Sequence, residues 1–116
     1  MFNFLKNLFT GGSSSYQNLD NNKFAEQMKQ ADTVVLDVRT PSEFAGGRIP
    51  KAINIDVMGN SFDAQIAKLD PQKSYLVYCR SGMRSAKACN IMAKNGFTQL
   101  FNLSGGISGW TGKVTR

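Results

Sequence analysis

The run Tyr75-Leu76-Val77-Tyr78-Cys79-Arg80-Ser81-Gly82-Met83-Arg84-Ser85 reads as a buried strand that delivers a cysteine into a tight cationic turn, which then opens a helix. The chemistry this suggests is nucleophilic. A thiolate is the reactive form of cysteine, and it needs positive potential to exist near neutral pH. A helix start supplies unpaired backbone N–H groups that favour anions, and Arg80 and Arg84 bracket the same turn. Together such surroundings bring a cysteine pKa from about 8.5 into a range of roughly 3.5 to 7.5. Cys79 is therefore the candidate nucleophile, and Arg80, Ser81, Gly82, Met83, Arg84 and Ser85 form the candidate loop around its anion. The competing reading is an inert cysteine packed as a small hydrophobe. Its place after a strand, with arginines on both sides, favours reactivity.

Other residues compete for roles near this turn. Asp37 ends a second apolar run and is read as bracing neighbouring loops by accepting hydrogen bonds, rather than as a general base. Arg39, two residues on, either pairs with Glu43 on the following turn or lines the pocket. Cys89 falls on an apolar helical face with Met92, so it belongs to the core; a resolving thiol is the lesser reading. Trp110 is expected to pack against the sheet. Gly105-Gly106 reads as a close turn, because the fuller dinucleotide-binding motif is missing.

The elements that must position these groups alternate. Asp20 can cap a helix carrying Phe24, Ala25 and Met28, and Thr33 to Val38 is an apolar, β-branched run of buried-strand type. Thr40-Pro41-Ser42-Glu43 is a capping box with proline at the first helical position, and Gly46 and Gly47 stop that helix. Ala52 to Ile55 is a short strand. Ser61 to Leu69 is a helix with Phe62, Ile66 and Leu69 on one face, ended by Asp70-Pro71. After the strand Ser74 to Tyr78, the helix Arg84 to Lys94 buries Ala88, Cys89 and Met92, and Asn95-Gly96 ends it before a strand over Gln99 to Leu103. Strands separated by helices imply parallel pairing with right-handed crossovers, and so an α/β sheet covered on both faces. Ligands of such sheets bind beyond the carboxyl ends of the strands, where Cys79, Asp37 and Arg39 fall.

The chain has 116 residues, 41% hydrophobic and 19% charged, which fits one globular domain. Residues 16–116 are read as that domain. Residues 1–15 stand apart: Phe2, Leu5, Leu8 and Phe9 recur at helical spacing before Gly11-Gly12-Ser13-Ser14-Ser15, an amphipathic piece on a flexible linker. Fraying disorder is the main reading there, and a membrane-surface contact through residues 1–9 the lesser one. A cleaved signal peptide is not expected, because polar residues interrupt the apolar run. Histidine is absent and there are two cysteines, so no metal site is expected, nor any other cofactor. A structural disulfide is not expected either, and a reducing, cytoplasmic setting is. The net charge of +6 is spread without runs or interleaved aromatics, which reads as a solvated basic surface and not a nucleic-acid site. The oligomeric state is left open.

Four pieces in order carry a resemblance. They are Leu36-Asp37-Val38-Arg39 with Glu43-Phe44; Ile49-Pro50-Lys51-Ala52-Ile53-Asn54-Ile55; Tyr78 to Ser85 with Ala88; and Gly105-Gly106 followed by Trp110. With these the chain resembles a single-domain rhodanese, a sulfurtransferase module, over Tyr16 to Gly112. The resemblance implies a five-stranded parallel sheet flanked by helices on both faces. Two positions depart from the family pattern: Arg48 stands where histidine is common, and Lys51 where glycine is. The resemblance also implies a mechanism in which Cys79 takes the outer sulfur of a small anionic donor such as thiosulfate and passes it, as a persulfide, to a thiol or cyanide. Backbone N–H groups from Arg80 to Ser85 would cup the anionic sulfur, Arg84 would hold the loop's charge, Arg80 would attract the donor, and Ser81 and Met83 would tune its access.

Cysteine phosphatases, including the dual-specificity cell-cycle type of the same fold, place five residues between cysteine and arginine. Here four intervene, and the narrower ring suits one sulfur atom better than a phosphoryl group. The expected function is sulfur transfer by a thiosulfate sulfurtransferase. A persulfide carrier serving a protein partner is the first alternative, and a phosphatase or arsenate reductase the second.

Overall fold

Side-chain alternation in Ser74–Tyr78 decides the architecture, because neighbouring residues of a strand point to opposite faces and here both faces are apolar. In the computed structural model, which describes residues 15–116, this strand lies at the centre of a five-stranded sheet. The strands are β1 (Gln17–Leu19), β2 (Thr33–Asp37), β3 (Ile53–Asn54), β4 (Ser74–Tyr78) and β5 (Leu100–Leu103), in the order β1-β5-β4-β2-β3, all parallel. Tyr75 and Val77 enter one buried cluster with Leu36, Phe62, Ile66, Cys89 and Met92. Leu76 and Tyr78 enter the other with Phe24, Val35, Ile49 and Leu103. The sheet is thus covered on both faces, as the resemblance implied.

The helices are α1 (Asn21–Gln27), α2 (Pro41–Gly46), α3 (Phe62–Ile66) and α4 (Met83–Lys94), with a 3-10 turn over Ile107–Gly109. Asp20 caps α1 by accepting from Lys23 N at 2.8 Å. The capping box of α2 is complete: Thr40 Oγ1 accepts from Glu43 N at 3.2 Å, and Glu43 Oε1 accepts from Thr40 N at 3.1 Å. Both caps stand where the residue types put them.

Three differences from the expected elements have physical causes. Pattern reading found no strand before α1, yet β1 pairs with β5 from Gln17↔Phe101 to Leu19↔Leu103. Its residues are mostly exposed and two of three are polar, so an edge strand this short leaves no hydrophobic signature. Helix α3 ends at Ile66 rather than Leu69, because its last turn tightens into Lys68 N to Gln65 O and Leu69 N to Ile66 O bonds ahead of Pro71. The strand expected over Ala52 to Ile55 shortens to Ile53–Asn54 at the opposite sheet edge. The amphipathic stretch expected over residues 1–15 lies, apart from Ser15, outside the described residues. Among the described residues no helix is long and apolar enough to cross a membrane.

Candidate active site

Cys79 follows the last residue of β4 and continues its alternation, so its side chain packs on the α4 face with Val77 and Ala88. The chain then turns through Arg80, Ser81 and Gly82 into α4. Gly82 is the N-cap, with φ 105°, and it has no side chain to satisfy the first N–H groups of the helix. The cysteine sulfur takes over that capping role: Gly82 N donates to Cys79 Sγ at 3.1 Å and Ser85 Oγ donates to it at 3.3 Å. Burial alone raises the Cys79 pKa, but hydrogen bonds from the Ser85 hydroxyl and from the N–H groups of Ser85, Gly82 and Ser81 outweigh it, and the pKa lies below its ordinary value. Cys79 and Cys89 are both free thiols. Cys79 is 1% exposed, its sulfur covered by the loop and the start of α4.

A second layer fixes the loop from behind. Ile107 N donates to Cys79 O at 2.9 Å, and Ser108 N to Arg80 O at 3.1 Å. These bonds require Gly106, at φ 63°, to press its backbone against the Arg80–Ser81 peptide; a Cβ there would lie 2.5 Å from Ser81 N and overlap the Arg80 carbonyl. The expected close turn at Gly105-Gly106 is therefore a prop for the cysteine loop. Asn102 on β5 ties the other side, its Nδ2 donating to Gly82 O at 3.3 Å and to Asn18 Oδ1 at 3.0 Å. Sequence reasoning missed Asn102, although a polar residue inside the run Leu100-Phe101-Asn102-Leu103 was a signal.

The charged residues do not pair as the sequence suggested. Arg39 does not reach Glu43. Its Nη2 binds Asp37 Oδ2 and Gly47 O, each at 2.7 Å, and its guanidinium lies 5.5 Å from the centre of the Tyr78 ring. The chain bends at Arg39, just past the strand end, and burial makes the pairing of its guanidinium with Asp37 a requirement. Asp37, fully buried, also accepts from Arg39 N at 2.9 Å. Glu43 instead receives Arg84, with Nη1 to Oε1 at 2.8 Å and Nη2 to Oε2 at 3.0 Å, a bidentate fork that joins α2 to the first turn of α4. Arg84 holds the Glu43 carboxyl at a pKa of about 2, against burial, with help from Thr40. The positive charge of Arg84 is thus largely matched, and hydrogen bonds from the loop do the work at Cys79 that the sequence assigned to flanking arginines. Arg80 and Ser81 are exposed at the rim with Met83, which is 79% exposed. Cys89 is fully buried among Ala88 and Met92, and burial, then the nearby Cys79 charge, push its thiol up to about 12. Both effects favour the neutral thiol, consistent with a core residue.

The position of the cysteine, its loop and the parallel sheet correspond to a known family, and the family model described as the rhodanese-like domain matches residues 20–113. The chain belongs to that family. A sulfurtransferase of Allochromatium vinosum is 31% identical to this rhodanese-like chain over 93 residues, covering 79% of it and 85% of the relative. The thiosulfate sulfurtransferase GlpE of Stutzerimonas stutzeri is 31% identical over 86 residues, covering 74% and 77%. Among solved structures, a rhodanese-related protein from Thermoplasma volcanium superposes with a TM-score of 0.75 at 30% identity, covering 86% of this chain and 98% of that one. At the two positions that depart from the common rhodanese pattern, Arg48 stacks on Phe44 at 4.6 Å, and Lys51 adopts a left-handed conformation, φ 69°.

Proposed function

We propose that this rhodanese-like chain transfers sulfane sulfur from thiosulfate or a related donor to a thiol or cyanide acceptor through a persulfide on Cys79. The observation that carries the proposal is the sulfur acting as the cap of α4, accepting from Gly82 N–H and the Ser85 hydroxyl, contacts that favour its anionic form. Relatives named as sulfurtransferases support sulfur transfer as the general chemistry.

In the first half-reaction the Cys79 thiolate attacks the outer sulfur of thiosulfate. A new S–S bond forms, the donor's own S–S bond breaks, and sulfite leaves with that bond's electron pair. The terminal sulfur now carries the negative charge, one atom further out than the thiolate did. The N–H groups of the loop and the first turn of α4 then serve as its donors. In the second half-reaction an acceptor thiolate or cyanide attacks that terminal sulfur, and the Cys79 thiolate leaves. Both halves expel an anion from an anion, so fixed donors matter more than a proton-transfer group, and Asp37 is occupied by Arg39 in any case. Exposed Arg80 attracts the donor, while Ser81 and Met83 border its path.

Steady-state transfer from thiosulfate to cyanide and to small thiols tests the proposal. Catalytic turnover that vanishes in Cys79→Ser and survives in Cys89→Ser is expected. A single stoichiometric transfer without turnover would favour the carrier reading, and hydrolysis of a phosphate ester without sulfur transfer would overturn the proposal.

A further inference from the structure

Glu43 does two things at once. Its Oε1 caps α2 through Thr40 N at 3.1 Å, and both its oxygens hold the Arg84 guanidinium. The pair spans 41 positions of sequence, and the two side chains remain about one quarter exposed, at 24% and 28%. Arg84 is the second residue of α4, one turn from the sulfur, and its own pKa is raised first by Glu43 and to a smaller degree by the charges of Cys79 and Asp56. The cation closest in sequence to the cup's helix start is therefore offered to an incoming donor already matched by a carboxylate. Arg80 is exposed and enters no ion pair among the described residues. The mouth thus offers one unmatched arginine, on a flexible stem.

Resting on the sulfur-transfer reading above, we propose that Glu43 is a positioning and specificity-determining residue, whose carboxylate, fixed beside Arg84, lowers the positive potential at Cys79 and steers the site toward singly charged sulfur donors and away from doubly charged ones. The physical reason is Coulombic. Thiosulfate carries two negative charges and an organic thiosulfonate one, while the step is the same for both: the thiolate bonds to the outer sulfur, the donor S–S bond breaks, and sulfite or a sulfinate leaves. A carboxylate near the mouth repels each donor in proportion to its charge. For one unit of charge across several ångströms of a largely aqueous mouth, that difference corresponds to roughly three- to sixfold in relative rate constant.

Glu43→Gln isolates this effect, because glutamine can complete the same capping box and keep α2 in place. The variant is expected to raise the ratio of kcat/KM for thiosulfate to kcat/KM for an alkyl thiosulfonate by roughly three- to sixfold, with the gain shrinking as salt is added. A structural role alone would lower both donors together and leave the ratio unchanged, which would overturn the inference. In an Arg84→Met background the carboxylate keeps its charge, so Glu43→Gln should still raise the ratio; no rise there would overturn the Coulombic account. A second readout is independent of sulfur transfer: the rate of Cys79 alkylation by anionic iodoacetate relative to neutral iodoacetamide should rise in Glu43→Gln by a similar factor. A rise in that ratio in a protein that accepts no sulfur from either donor would sink the sulfur-transfer reading while leaving the charge-setting role of Glu43 intact. No rise would refute the role itself.

Discussion

Gly106→Ala is expected to disable the cysteine loop without touching a single loop residue. The Gly106 backbone has φ 63° and ψ −174°, a region open essentially to glycine alone, and forcing an alanine into it costs about 1 to 3 kcal/mol. The added Cβ would also stand 2.5 Å from Ser81 N and closer to the Arg80 carbonyl, so the two backbones must separate by about 1 Å or more to reach ordinary contact. Neither side can yield cheaply, since both are main chain, and overpacking of this kind adds about 1 to 3 kcal/mol. The sum, about 2 to 6 kcal/mol, is a large part of the stability of an ordinary domain. The displacement falls on the peptide that leads from Cys79 into its loop, where a shift of about 1 Å costs on the order of a hundredfold in rate. Urea denaturation and the rate of sulfur uptake by the folded fraction measure the two effects. Gly105→Ala is the internal control: its Cβ would meet nothing within 4 Å and its φ is not positive, so both quantities should stay near those of the unaltered chain. Unchanged stability and uptake in Gly106→Ala would refute the view that the Gly105-Gly106 turn props the site.

Three further outcomes follow from the same geometry. Ser85→Ala removes the hydroxyl bond to Cys79 Sγ and should reduce the thiolate fraction below its inflection about tenfold, seen as a shift of the iodoacetamide alkylation profile to higher pH; an unshifted profile would show that the backbone N–H groups suffice. Glu43 has its folded-state pKa depressed from 4.5 to about 2, so the stability it contributes is present above pH 4.5 and lost as pH falls toward 2. Because the pair is partly exposed, that loss should amount to about 1 to 2 kcal/mol after screening, and it should be missing from the acid denaturation of Glu43→Gln. Lys51→Gly relieves a left-handed lysine and should stabilise the chain by about 1 kcal/mol, read as a rise in melting temperature; a fall would mean that the Lys51 side chain makes a compensating contribution.

The parts of the molecule that could be read from sequence are those set by local rules. The Asp20 cap, the Thr40 to Glu43 capping box and the strand Ser74–Tyr78 follow from residue types within a few positions of one another. Cys79 and its loop were legible for the same reason, because a strand, a cysteine, a glycine and a helix start are consecutive. What escaped was set by tertiary approach. The Glu43–Arg84 fork joins residues 41 apart, whereas local spacing offers only the nearer Arg39 as a partner for Glu43. Asn102 and Gly106 stand out locally as a polar residue in an apolar run and a turn glycine, but that both hold the cysteine loop is set by the tertiary approach of β5 and the turn after it. Strand β1 was invisible because a three-residue edge strand with exposed polar residues buries too little to leave a pattern.

The most direct test of the account is peptide-resolved mass spectrometry of the protein after thiosulfate treatment. The account predicts the added mass of one sulfur atom on the peptide carrying Cys79, removed by cyanide and missing in Cys79→Ser. Sulfur found on Cys89 instead, or retained by Cys79→Ser, would contradict it.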